Sequence, residues 1–282
     1  MSLRFKLALG AVAAATAAGV GTASARSADD VACGSVVAED TTLAHDLTDC
    51  PGTGLIVAAP NVTLDLGGHT VSGTGNGFGI QVRADDVTVA NGTVTAFGSG
   101  IDGEGGFFQP GPAGVTIRDL TITENVGAGI VLLGVEGWQI ARDDVLGNGS
   151  GIFFSRARNT VVSGSFVAQN AGAGIFSVSS SDGNLFSGNR VLHNDGDGIF
   201  VSNSTTQIVG NRASFNGGNG IVLHDDPGFP DVIADNVADG NAQLGITADF
   251  AGFDGGGNAA KHNGDPRQCV NVSCARNAGQ AD

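Results

Sequence analysis

The groups best suited to proton transfer lie together in one segment, His224-Asp225-Asp226-Pro227-Gly228-Phe229-Pro230-Asp231. An imidazole titrates near neutral pH, so His224 could serve as a base. Asp225 and Asp226 could work as an acid and base pair, or bind Ca²⁺ through their oxygens. A solvated acidic turn is the competing reading, because Asp and Pro are ordinary turn residues. Arg156 and Arg158 could grip a sugar carboxylate with paired N–H groups. Asp182 and Asn203 are expected beside them as further polar contacts. His193, Asp195 and Asp197 form a second candidate group, for which a structural corner is again the alternative. His69 reads as structural, and no set of residues names a metal.

What could bring such distant residues together is a repeat. Gly-Ile pairs end at Ile80, Ile101, Ile130, Ile152, Ile175, Ile199, Ile221 and Ile246, in steps of 21, 29, 22, 23, 24, 22 and 25. Asn125, Asn148, Asn170, Asn194, Asn216 and Asn241 run alongside in steps of 23, 22, 24, 22 and 25. Each unit holds two or three apolar-alternating runs of three to five residues, separated by Gly and Asn. That pattern is strand and turn in succession. The period is too short for propeller blades, and the consensus of a leucine-rich repeat is missing.

The fold expected is therefore all-β, a right-handed parallel β-helix (solenoid) of about 8–10 coils. Successive coils stack about 4.8 Å apart. The Ile column builds one core, Gly supplies positive φ at corners, and corner Asn bonds along the stack. No coil buries its apolar face alone, so the ends need caps. The expected division is a signal over 1–25, an N-terminal cap over 26–54, coils over 55–254 and a C-terminal cap over 255–282.

This geometry also places the candidates. The residue after each Ile faces outward, which would set Phe153, Phe176 and Phe200 in a row one coil apart. Three readings are open for that row. It is a platform for sugar rings, or it is covered by the insertion 103–114 or another subunit, or these coils slip register and stack the Phe inside. The loops that follow carry Arg156, Arg158, Asp182, Asn203 and the His224 segment down one flank.

Composition removes several alternatives. The 282-residue chain has 13 Lys+Arg against 28 Asp+Glu, a formal charge of -15. Such a chain repels phosphate backbones, so nucleic acid is not an expected partner. With 41% apolar and 15% charged residues, it is not a disordered chain. Arg4 and Lys6, the apolar run Leu7 to Val20 and Ala23-Ser24-Ala25 make an export signal cut before Arg26. No later stretch spans a membrane. A secreted or periplasmic location makes disulfides the expected state of Cys33, Cys50, Cys269 and Cys274. Three pairings are possible. The two local ones are preferred, with a zinc site near His262 as the less favoured alternative.

The stretch from Cys33-Gly34 through Cys50-Pro51 to Val62-Thr63-Leu64-Asp65-Leu66-Gly67-Gly68-His69-Thr70-Val71-Ser72-Gly73 resembles the opening of secreted bacterial right-handed β-helix proteins. The Asn-x-Gly-x-Gly-Ile-x-Val units are similar to the same broad, pectin-lyase-like group. The resemblance implies the fold over about residues 33–250. It spans lyases, epimerases, hydrolases, periplasmic proteins implicated in copper loading and uncharacterised members, so it does not assign chemistry. The chain departs from the catalytic members. It has no Tyr, its mature part has only Lys261 as lysine, and the three-Asp set of the hydrolases is absent. The leading expectation is binding of an extracellular acidic polysaccharide, with lyase or epimerase chemistry as its catalytic form. A non-catalytic secreted scaffold is the alternative.

Overall fold

The computed structural model describes residues 30–105, 110–224 and 231–275. Short strands follow one another around a three-faced coil. One coil runs through Ser150–Ser155, Val161–Ser163 and Phe166–Ala168, and Ile175–Val178 then lies parallel on Ser150–Ser155. Repetition builds an eleven-stranded parallel sheet on one face, from Ser35–Val37 to Cys269–Val270, and a second and third face from the remaining strands. The parallel crossovers have the right-handed sense such connections take, and the result is a right-handed β-helix of about ten turns. The segments expected as caps contribute strands too, since pairing continues to Cys274–Ala275.

The core is a set of columns. Leu55 and the eight isoleucines pair in register, coil upon coil, and all are fully buried. The glycine before each isoleucine has a reason that differs from the one expected. These glycines do not adopt positive φ. Instead the next coil passes too close for a side chain: a Cβ on Gly100 would sit 2.5 Å from the Gly129 carbonyl and from Ile122 Cγ2. Positive φ belongs to other corners. Ala96, Glu124, Gly147, Gln169, His193, Phe215, Gly240 and His262 repeat the left-handed conformation at one corner of successive coils.

Buried asparagines close the corners. Asn194 accepts from the Asn170 backbone N–H and side-chain Nδ2, and donates its own Nδ2 to Asn216 Oδ1 and to the Val167 carbonyl. The same bonds recur from Asn125 to Asn263, which ends on Gln268. A second ladder runs Asn189, Asn211, Asn236, Asn258 at the corner between the second and third faces. Turn backbone groups that no strand can satisfy are thus paired. The local disulfides Cys33–Cys50 and Cys269–Cys274 form near the two ends. Buried Trp138 donates Nε1–H to the Pro112 carbonyl at 2.8 Å and so ties the 103–114 insertion to the coil.

Candidate functional site

The outer surface of the eleven-stranded sheet carries one row of residues in register: Gln81, Asp102, Val131, Phe153, Phe176, Phe200, Val222, Thr247. Register is therefore not slipped. In these coils the buried phenylalanines are Phe154 and Phe186, while Phe153, Phe176 and Phe200 are partly exposed. Their rings stack at 5.9 Å and 16°, then 5.0 Å and 20°. Stacked rings cover much of each other's faces. The row thus offers a ribbed apolar strip rather than a set of open ring faces. The described part of the insertion bonds at Leu133 and Gly134, one coil before Phe153. Its residues 106–109 lie outside the described part.

His224 ends the strand Ile221–His224, one coil beyond Ser202 in register. It stands two residues past Val222, the coil neighbour of Phe200, which puts it diagonally about 8 Å from Phe200 between Cα atoms. Its Nδ1 lies 2.9 Å from Asp249 Oδ1. The carboxylate accepts the Nδ1 proton and leaves Nε2 as the basic nitrogen. Asp249 is itself fixed, its backbone N–H donating to the Leu223 carbonyl. This partner was not singled out in the sequence. The repeat could have supplied it, because Asp249 follows His224 by 25 residues, one coil.

The other candidates separate. Asn203 comes close to His224, donating its backbone N–H to the His224 carbonyl at 3.4 Å. Arg156 and Arg158 follow the strand of Phe153, three coils and so about 14 Å from His224 along the axis. They share its flank but cannot hold the same sugar. Arg158 Nε lies 3.9 Å from Asp182 Oδ2, and Asp182 Oδ1 accepts from the Thr205 backbone. Asp225 and Asp226 lie outside the described residues. Asp231, at the far end of that segment, is buried and accepts from the Thr206 backbone N–H.

The second group does not converge. His193 lies at a left-handed corner and stacks on Phe215 at 5.2 Å and 9°. Asp197 accepts from the Asn219 backbone at 2.6 Å and from its Nδ2 at 2.9 Å, as corner glue. Asp195 is exposed nearby.

Asp102 is a residue of the outward row whose burial was not expected. It is only 1% exposed, and that burial raises its carboxyl to about 6 despite a bond from Gln81 Nε2. It stands five coils from Val222 in the same row, too far to share a sugar with His224. Among the described residues, no group of three or more His, Cys, Asp or Glu is arranged to hold a metal. None of the helices there is long and apolar enough to cross a membrane. The disulfides fit an oxidising compartment.

A family model described as right handed beta helix region matches residues 53–185 and 105–260. Among solved structures, a mannuronan C-5 epimerase A-module from Azotobacter vinelandii superposes with a TM-score of 0.57 at 14% identity, covering 86% of this chain and 87% of that one. A point mutant of the periplasmic alginate epimerase AlgG gives 0.50 at 15% identity, over 85% and 75%. A full-length tailspike protein of an Escherichia coli bacteriophage, CAB120, gives 0.52 at 13%, over 89% of this chain but 40% of that one. At these identities the likeness is one of fold. No curated protein matches the sequence.

Proposed function

This chain belongs to the right handed beta helix family, and from its outer surface we propose that it is an exported protein that binds an acidic polysaccharide along the eleven-stranded sheet, with His224 as proton acceptor. The observation that carries this reading is the His224–Asp249 pair beside the Phe153-Phe176-Phe200 strip on one accessible face. A glycan strand laid along the axis crosses one coil about every 4.8 Å, close to the length of a sugar unit. The strip meets the apolar C–H faces of the sugars. Arg158 and Arg156 lie at the other end of the same strip, within reach of a carboxylate further along the polymer.

The proton beside a uronate carboxylate is the acidic one on such a sugar. His224 Nε2 takes it, and the Asp249 carboxylate stabilises the imidazolium that forms. Return of a proton to the opposite face inverts that carbon. Expulsion of the neighbouring glycosidic oxygen instead cleaves the chain and leaves a double bond. The fold likeness to two alginate epimerases supports a uronate as the substrate class without deciding between these outcomes.

The test is incubation of the mature protein with a panel of uronate polymers, with and without Ca²⁺. Absorbance reports unsaturated ends, and NMR reports inverted residues. Either signal, lost in His224→Ala, supports the reading. Silence across the panel with binding unchanged in His224→Ala removes it and leaves the Phe strip as a docking face of a non-catalytic scaffold.

A further inference from the structure

The third face carries a basic strip that the site above does not use. Its strands Phe166-Val167-Ala168, Arg190-Val191-Leu192 and Arg212-Ala213-Ser214 read outward, inward, outward. Phe166, Arg190 and Arg212 are in register over three successive coils. The outward residues two positions on, Ala168, Leu192 and Ser214, are nevertheless buried. They are short or apolar, and longer side chains stand on either side of them. They make a seam. Beyond it rises the left-handed corner where His193 stacks on Phe215, a phenylalanine that is 50% exposed.

Charge identifies what the strip fits. The chain has 28 acidic residues against 13 basic ones, and four of the eight arginines among the described residues pair with a carboxylate. Asp119 holds Arg118 and Arg142, Asp182 lies at Arg158, and Asp265 holds Arg267. Arg190 and Arg212 form no ion pair among the described residues. Arg190 instead lies 4.9 Å over the Phe166 ring, which fixes its guanidinium beside that seam. Like charges facing each other across a strand pair repel. Two exposed guanidiniums one coil apart, in an otherwise acidic protein, form a local anion site with a spacing of about 4.8 Å. We infer that this strip is a second, non-catalytic anchor for a carboxylate-bearing glycan strand, with Arg190 and Arg212 pairing to carboxylates on successive sugars. The inference rests on the acidic-glycan reading above and extends it to a surface remote from His224. The net charge of -15 opposes every polyanion, polyuronate and nucleic acid alike, so only a contact as local as this arginine pair holds either, and competition by DNA separates them in the test.

Affinity electrophoresis tests it, with native gels containing alginate, polygalacturonate, a neutral glucan or no polymer, and duplex DNA as a competitor. The proteins compared are wild type, Arg190→Gln/Arg212→Gln and Phe176→Ala/His224→Gln, each scaled to its own mobility in the polymer-free gel and checked by thermal melting. The expected result is retardation of wild type by the polyuronates alone. The double arginine variant should bind about tenfold more weakly, from two exposed charge-assisted contacts. Arg190→Lys/Arg212→Lys should recover part of the loss. Unchanged retardation of the arginine variant, with release of the Phe176/His224 variant, overturns the anchor and leaves the flank reading standing. The reverse result keeps the anchor and removes the flank. Competition by DNA as strong as by polyuronate reduces the strip to an ion exchanger and overturns the inference. Absence of retardation by any polyuronate removes both.

Discussion

Asp143 occupies the corner position that Asn189 takes two coils later: its Oδ1 accepts the Leu120 backbone N–H at 2.9 Å, as Asn189 Oδ1 accepts that of Ser165 at 3.0 Å. The likeness stops at the second atom. Asn189 Nδ2 donates to the Val162 carbonyl, whereas Asp143 Oδ2 is buried without a partner. Burial raises this carboxyl to about 7. The folded protein therefore keeps a proton there that the unfolded chain releases near 4. The stability contribution is full below pH 4, falls as pH rises from about 4 to about 7, and is absent above. Asp143→Asn supplies an amide that can donate toward the Ile117 carbonyl and has no charge to bury. The variant should melt higher than wild type at pH 8 and lose most of that advantage at pH 4.5. The upper bound on the difference is on the order of 4 kcal/mol. Equal gains at both pH values would contradict the assignment.

The two kinds of glycine should respond differently to a methyl group. A Cβ on Gly220 would meet the Gly245 carbonyl at 2.5 Å, Asn241 Nδ2 at 2.7 Å and Ala238 Cβ at 2.9 Å. Gly188 has φ of 62° and open space around it. Gly220→Ala must push neighbouring coils apart and should cost about 3 kcal/mol or more. Gly188→Ala meets only the left-handed penalty, roughly 1 kcal/mol. Denaturant titration of both variants checks the order, and an equal cost would sink the close-approach account of the Gly-Ile pair.

Much of this architecture was legible in the sequence because a solenoid writes its contacts as a period. The Ile80-to-Ile246 spacing gave the core column, and Asn125 to Asn241 gave one corner ladder before any coordinates. The second ladder, Asn189 to Asn258, was equally periodic and went unused because its first rungs are Asp143 and Ser165. The site was less legible. Outward alternation sets the Phe row on the surface, and the period counts the three coils between Ile152 and Ile221. A shared flank, however, does not bring Arg156 and His224 within reach of one another. Asp102 looked like any exposed acid, since nothing local signals its burial.

The Asn ladder should behave as a cooperative unit. Asn194→Ala removes four buried bonds and leaves the Asn170 N–H and the Val167 carbonyl unpaired in the interior. Each orphaned group costs about 1–3 kcal/mol. The loss should be at least about 3 kcal/mol, and it should open the coils on both sides, because each repeat depends on its neighbours. Hydrogen exchange should show lost protection in the strands Phe166–Ala168 and Arg212–Ser214 together with Arg190–Leu192. Loss confined to residues 190–194 would show that the ladder is merely decorative.

The His224–Asp249 pair makes the sharpest prediction about chemistry. Asp249 touches the imidazole, so under the proposed function it positions and supports the base. Asp249→Asn keeps the shape and hydrogen-bonding reach but presents no charge to the imidazolium. Turnover of a uronate substrate should fall by about 10²–10⁴, the usual range for losing acid–base assistance. KM should change little, because the Phe strip proposed to hold the polymer is untouched. Asp249→Glu should restore part of the rate. A merely structural Asp249 would instead lower the melting temperature and raise KM and lower kcat together, without rescue by Glu, so the split between kcat and KM decides between the two roles.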